Sequence, residues 1–142
     1  MKKKSLIIVL LLISFFIFLS YFSNKEEIVD LSNISIITVD NPETREKGLS
    51  GRESLEENQA MLFTFDYADK YQFWMKDMKF PIDIIWLDEN SRIVHIEENV
   101  SPDTYPKTSF PPQESLYVLE ANAGFSDKNH LEVGKIINFS KF

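Results

Sequence analysis

Between Gln72 and Asp88 the chain reads QFWMKDMKFPIDIIWLD, and its apolar positions fall into two alternating sets. Ile82, Ile84 and Trp86 share one side of an extended segment, and Ile85 and Leu87 share the other. A strand apolar on both sides is a central strand covered on both faces. Asp83 falls with Ile85 and Leu87, so its carboxylate is expected to be partly buried at the start of that strand. NISIITVD alternates and is rich in Ile, Thr and Val, which predicts a first strand. Residues 59–65 (QAMLFTF), 71–76 (YQFWMK), 116–121 (LYVLEA) and 133–139 (VGKIINF) predict further strands. The turn DENSR between residues 82–88 and 92–98 marks an antiparallel hairpin. Asn41 or Asp40 can cap a helix that Pro42 opens and Gly48 ends, giving two turns over Pro42–Lys47. SDKNH suggests one more helical turn. Residues 99–115 hold four prolines and no periodic apolar pattern, so a long loop of the functional or mobile kind is expected there. Seven short strands and one clear helix predict a mostly β domain, a β-sandwich or open-barrel-like fold without a βαβ rhythm.

The N-terminus changes the picture. Residues 5–22 carry no charge and follow Lys2, Lys3 and Lys4. Eighteen helical residues span about 27 Å, close to the roughly 30 Å of a bilayer core. The apolar run exceeds the usual signal-peptide core, and no small residues sit at cleavage spacing, since the first Ala is Ala60. An uncleaved transmembrane helix is therefore expected, with the lysines on the cytoplasmic side and the rest of the chain outside. This divides the chain into an anchor (1–22), a linker (23–33) and an extracytoplasmic β domain (34–142). Fifteen basic residues less the three N-terminal lysines leave 12 against 22 acidic ones, a net of −10. Such a surface disfavours nucleic acid as a partner. With no cysteine, disulfides, thiolate metal sites and a cysteine nucleophile are excluded.

A buried carboxylate needs a cation or several donors, or it takes up a proton. Arg52, Lys76 and Lys79 are the candidate partners of Asp83, and a structural ion pair is the simplest account. Two glycines in GLSGR suit a helix end followed by a tight turn. Arg52 at that turn can clamp a carboxylate or phosphate, or pair with Asp83. Trp74 and Lys76 share a strand face, so an aromatic platform beside a cation could hold an anionic or sugar ligand, or Trp74 could sit in the core with Lys76 at its rim. His95 and Glu97 also share a face, but a metal would need further ligands, and a solvated strand face is the simpler account. There is no Gly-x-Ser-x-Gly signature for serine chemistry. Asp83 with Glu97 or Glu120 could form a carboxylate pair for glycoside hydrolysis.

In order along the chain, VDNPETREKGLSGRESL (39–55), AMLFTFD (60–66), FWMKDMKFPIDIIWLDENSRIVHI (73–96), TYPKTSFPP (104–112), YVLEANAG (117–124) and VGKIINF (133–139) resemble the domain of unknown function 192 family. The resemblance covers residues 34–140. Asp77 departs from it, because members more often carry Asn there. The resemblance implies a compact, mostly β fold of sandwich type with a short helix, and it implies no established activity. The expectation is thus a membrane-tethered extracytoplasmic domain that touches the bilayer through residues 5–22. It would bind a small anionic or carbohydrate-like ligand, or an envelope protein, through Arg52, Trp74, Lys76 and Asp83. No cofactor, metal or catalytic residue is assigned. The alternatives are a hydrolase using Asp83 with another carboxylate, and a purely structural envelope protein.

Overall fold

The structure is a computed structural model that describes residues 11–18 and 26–139. Residues 11–18 form helix α1 with exposed side chains. The expected membrane span lies in part outside the described residues, and among those described no helix is long and apolar enough to cross a membrane. The remaining elements are β1 (Ile28–Asp30), β2 (Ser35–Val39), α2 (Pro42–Lys47), β3 (Gln59–Asp69), β4 (Phe73–Trp74), β5 (Ile82–Leu87), β6 (Ile93–Val100), β7 (Thr108–Ser109), β8 (Ser115–Asn122), α3 (Phe125–Lys128) and β9 (Ile136–Asn138). Five strands make one mixed sheet in the order β2-β3-β8-β5-β6, and β1-β9 and β4-β7 form two-stranded ribbons. Among the described residues the sheets close into no barrel, and the fold is mostly β with a few short helices.

All six residues of β5 are buried, as the two-sided apolar pattern predicts. One face of the sheet packs Leu62, Ile85, Leu87 and Leu119 against Leu31, Phe125 and Ile137. The other packs Met61, Phe63, Ile84, Trp86 and Val118 against Leu49, Leu55 and Met75. The expected hairpin is the antiparallel pair β5-β6. The expected helix is α2, with the Asn41 side chain accepting from the Thr44 backbone N–H at 3.0 Å.

Three expectations need correction. β2 and β3 run parallel across α2, which is a βαβ connection. Its helix has only six residues and the rest of the crossover is irregular, so no helical period announced it. Ile28–Asp30, inside the stretch read as a linker, pair with β9, and Leu31 beside them is 1% exposed. The proline-rich segment is not wholly a loop: it contains a 3-10 turn at Pro102–Thr104 and β7, which pairs with Phe73–Trp74, the only ladder residues of the longer strand expected at 71–76. Strands of two or three residues are too short for alternation to register in sequence.

Candidate functional site

The two most specific sequence motifs meet in space. Gly48 ends α2 at φ 48°, ψ −131°, a conformation that favours glycine, and a Cβ there would lie 3.2 Å from the Phe63 ring. The chain then turns through Gly51 at φ 77°. Ser50 Oγ donates to the Lys76 carbonyl at 2.8 Å, and the Gly51 N–H donates to the Asp77 carbonyl at 2.9 Å. GLSG is thereby pinned to FWMKD. Asp77 adopts φ 57°. Asn and Asp are the side-chained residues that enter this region most readily, which gives a physical reason why Asp can stand at this position.

Between these segments and the sheet lies a cleft of about 270 Å³. Phe63, Phe65, Tyr71, Phe73 and Trp74 give it an aromatic wall, and Arg45, Glu46 and Lys47 of α2 also line it. Phe65 and Tyr71 stack with their centroids 3.4 Å apart, and Phe73 meets Phe63 edge-on at 4.9 Å. The Arg45 guanidinium lies 5.1 Å over Phe65 and donates to the Asp40 and Thr64 carbonyls at 3.0 and 2.6 Å. These contacts fix the walls.

Glu120 also lines this cleft. It stands on β8, the middle strand of the sheet, opposite Met61 on one neighbour and Ile84 on the other. Cross-strand partners point to one face, so the carboxyl is flanked by apolar side chains. Glu120 is 5% exposed, and its Oε2 has no hydrogen-bond partner. Burial disfavours the charged form and pushes the carboxyl up to about 8. At neutral pH it is a carboxylic acid able both to donate and to accept. Burial likewise raises the Tyr71 phenol, which donates to the Tyr67 carbonyl at 2.6 Å.

Trp74 and Lys76 share a second depression of about 260 Å³ that adjoins the cleft and is also lined by Glu43, Glu46, Lys47 and Asp77. Trp74 is 48% exposed, and the Lys76 ammonium lies 5.8 Å from its ring centroid. Two of the four expected site residues are therefore together. Arg52 is exposed and lines neither depression. Asp83 points to the opposite face of the sheet, being aligned with Ala121 while its neighbour Ile84 is aligned with Glu120.

Asp83 is fully buried rather than partly so, and its partners are backbone donors, not Arg52, Lys76 or Lys79. Oδ1 accepts from Asn99 N–H at 2.8 Å and Gly124 N–H at 3.3 Å, and Oδ2 accepts from Ser126 N–H at 2.8 Å. Asn99 sits at φ 54° where the β5-β6 register shifts. Gly124 and Ser126 open α3, which has no side-chain cap of its own. Asp83 thus ties a strand irregularity to a helix start, which no cation could do. Lys79 pairs with Glu53 instead.

The carboxylate pairs also separate. Glu97 is aligned with Ile84, and so it shares the face of Glu120, not of Asp83. Glu97 accepts from Ser109 Oγ, and its Oε1 lies 3.8 Å from His95 Nε2. This leaves Ser109 bonded to a carboxylate rather than to a histidine base. No metal-holding cluster of three or more His, Asp or Glu occurs among the described residues. In sequence, Glu120 figured only as a companion for Asp83. The signal that could have singled it out is the same: one charge in a strand, LYVLEA, whose two alternating sets are otherwise almost wholly apolar.

The chain belongs to the domain of unknown function 192 family, described as Uncharacterized ACR, which it matches over residues 23–139. In structure it is similar to a protein from Sinorhizobium meliloti 1021 described as a proposed transcription regulator. The TM-score is 0.68 at 28% identity over 71% of this chain and 78% of that one. It is also similar to a protein of unknown function from Novosphingobium aromaticivorans, with a TM-score of 0.67 at 26% identity over 71% of each chain. No curated protein matches.

Proposed function

We propose that this is a membrane-tethered extracytoplasmic domain that binds a small, neutral, carbohydrate-like ligand in the cleft above Glu120. The observation that carries the reading is the unpartnered, buried Glu120 carboxyl in an aromatic-walled cleft. A buried polar group without a partner is costly, and a ligand group that satisfies it recovers that cost. Aromatic walls with a few convergent polar groups are the usual make-up of a small-ligand site. A sugar ring offers apolar C–H faces to the rings and hydroxyls to a protonated carboxyl. An anion is less well served: Arg45 and Lys47 in the cleft are opposed by Glu46, and Lys47 and Lys76 next door by Glu43, Glu46 and Asp77. A hydrolase built on Asp83 is not supported, because Asp83 faces away from the cleft. The net charge of −10 outside the N-terminal segment gives no support to DNA binding of the kind named for the Sinorhizobium protein.

Thermal melts of the full-length protein in a sugar-free detergent test the site against a panel of mono- and disaccharides. At least one sugar is expected to raise Tm, Glu120→Leu is expected to abolish the shift, and Trp74→Ala is expected to reduce it. No shift with any sugar, or a shift kept in both variants, overturns the reading. The tether rests on the uncharged run at residues 5–22 behind three lysines. The protein is expected in the membrane fraction, resistant to carbonate extraction, with its C-terminal tag cut by protease added outside intact cells. Recovery in the soluble fraction, or a protected tag, defeats the proposal.

A further inference from the structure

We infer that the ligand is a chain of at least two ring units, one in the cleft over Glu120 and the next across Trp74 in the adjoining depression. This rests on the carbohydrate reading of the cleft and extends it. The two depressions are not separate features, for Glu46, Lys47, Ser50 and Trp74 line both. Each falls short of the roughly 300–1,000 Å³ of pockets that enclose a drug-sized ligand, and joined they reach that range. A monomer would fill one and leave the other to water.

Trp74 lines both depressions, and its position is fixed from two sides. Its backbone pairs with Thr108, and its ring meets Tyr105 at 6.2 Å and 71°. Tyr105 is itself 46% exposed. A half-exposed indole braced edge-on by a second exposed ring is a platform for a stacked unit rather than a core residue. Lys76 sits at its face, and its main chain is locked by Ser50. The ammonium can leave the indole and donate to hydroxyls of the second unit while the backbone stays in place. The lining of the second depression, with Lys76, Asp77, Glu43 and Ser50, is polar and mixed in charge. It therefore suits a neutral, hydroxyl-rich unit better than an apolar tail. The two subsites also differ in lining, one rich in aromatic rings and the other polar, as expected where successive units of a chain meet different surroundings.

Titration calorimetry of the full-length protein, in a detergent without sugar, tests the inference with β-1,4-linked glucose and N-acetylglucosamine oligomers of one to six units. Alanine peptides of two to six residues form a parallel series. Affinity is expected to rise at least tenfold from one unit to two or three. Trp74→Ala should bring the longer oligomers down to the affinity that variant has for the monomer. Lys76→Met should weaken binding of the oligomers several-fold more than it weakens binding of the monomer. Equal affinity for one unit and for several, lost in Glu120→Leu, overturns the chain inference and leaves the cleft reading standing. No binding of any sugar overturns both. Binding of the peptides alone overturns the ring chemistry in both subsites.

Discussion

Asp83→Ala is expected to lower the unfolding free energy by about 3–5 kcal/mol, because it removes the acceptor of three backbone donors, one of them fully buried. The N–H groups of Asn99, Gly124 and Ser126 all end on this carboxylate, and Asp83 is 0% exposed. A buried donor left without an acceptor costs about 1–3 kcal/mol, which applies in full to Ser126, while water reaching the exposed Asn99 and Gly124 reduces their share. Asp83→Asn should lose less. Its remaining carbonyl oxygen can serve Asn99 and Gly124, while its amide faces Ser126 N–H donor to donor. Arg52→Ala is expected to leave stability within about 0.5 kcal/mol, as for an exposed side chain away from any network. The Asp83 and Arg52 substitutions should be additive when combined. Urea melts followed by tryptophan fluorescence measure the four variants and the wild type. An Asp83→Ala midpoint close to wild type would remove Asp83 from its place as the tie between β6 and α3. A coupling energy above about 0.5 kcal/mol with Arg52 would restore the ion pair.

The burial of Asp83 was legible in the sequence, and its partners were not. Alternation places a side chain on a face, and the apolar neighbours of Asp83 on both sides of β5 said that both faces were covered. Which donors reach it depends on a bulge at Asn99 and on a helix start at residues 124–126, far along the chain. The same limit applies to the sheet. Long strands with clear alternation, such as β5 and its hairpin partner β6, were readable. The order β2-β3-β8-β5-β6, the parallel pairing of β2 with β3, and the two ribbons depend on contacts that leave no local pattern. At the site, Trp74 and Lys76 could be placed together because they lie two residues apart on one extended segment. Arg52 could not be excluded, because its direction is set by the Gly48–Gly51 turn. The aromatic wall comes from β3, β4 and the stretch between them, so it becomes a wall only once the sheet has folded. The turn glycines, by contrast, announced themselves: only a backbone at positive φ requires them, and both 48 and 51 are there.

Glu120→Gln is expected to make the ligand-free protein more stable than wild type, by an amount that grows with pH. The carboxyl moves from an ordinary 4.5 to about 8 on folding because it is buried among apolar groups. Below pH 4.5 it is protonated in both folded and unfolded chains, and its titration costs nothing. Between 4.5 and 8 the unfolded chain releases a proton that the folded chain retains, so stability falls as pH rises. The slope in the middle of that window is about 1.4 kcal/mol per pH unit. Above about 8 the folded form ionises too, and the loss levels off at a few kcal/mol. Glutamine has the same shape and no proton to lose, so it lacks this slope. The other carboxylates titrate alike in both proteins, and the difference between the two curves isolates Glu120. Urea melts of wild type and Glu120→Gln at several pH values from 4 to 9 give that difference, and a flat one would show that Glu120 is ionised or partnered in the folded chain. A site that holds strain for function is commonly stabilised when its functional group is replaced. If the cleft binds a sugar through this acid, saturating ligand should shrink the gap between the two proteins at pH 7, because it supplies the partner that Glu120 lacks in the empty cleft.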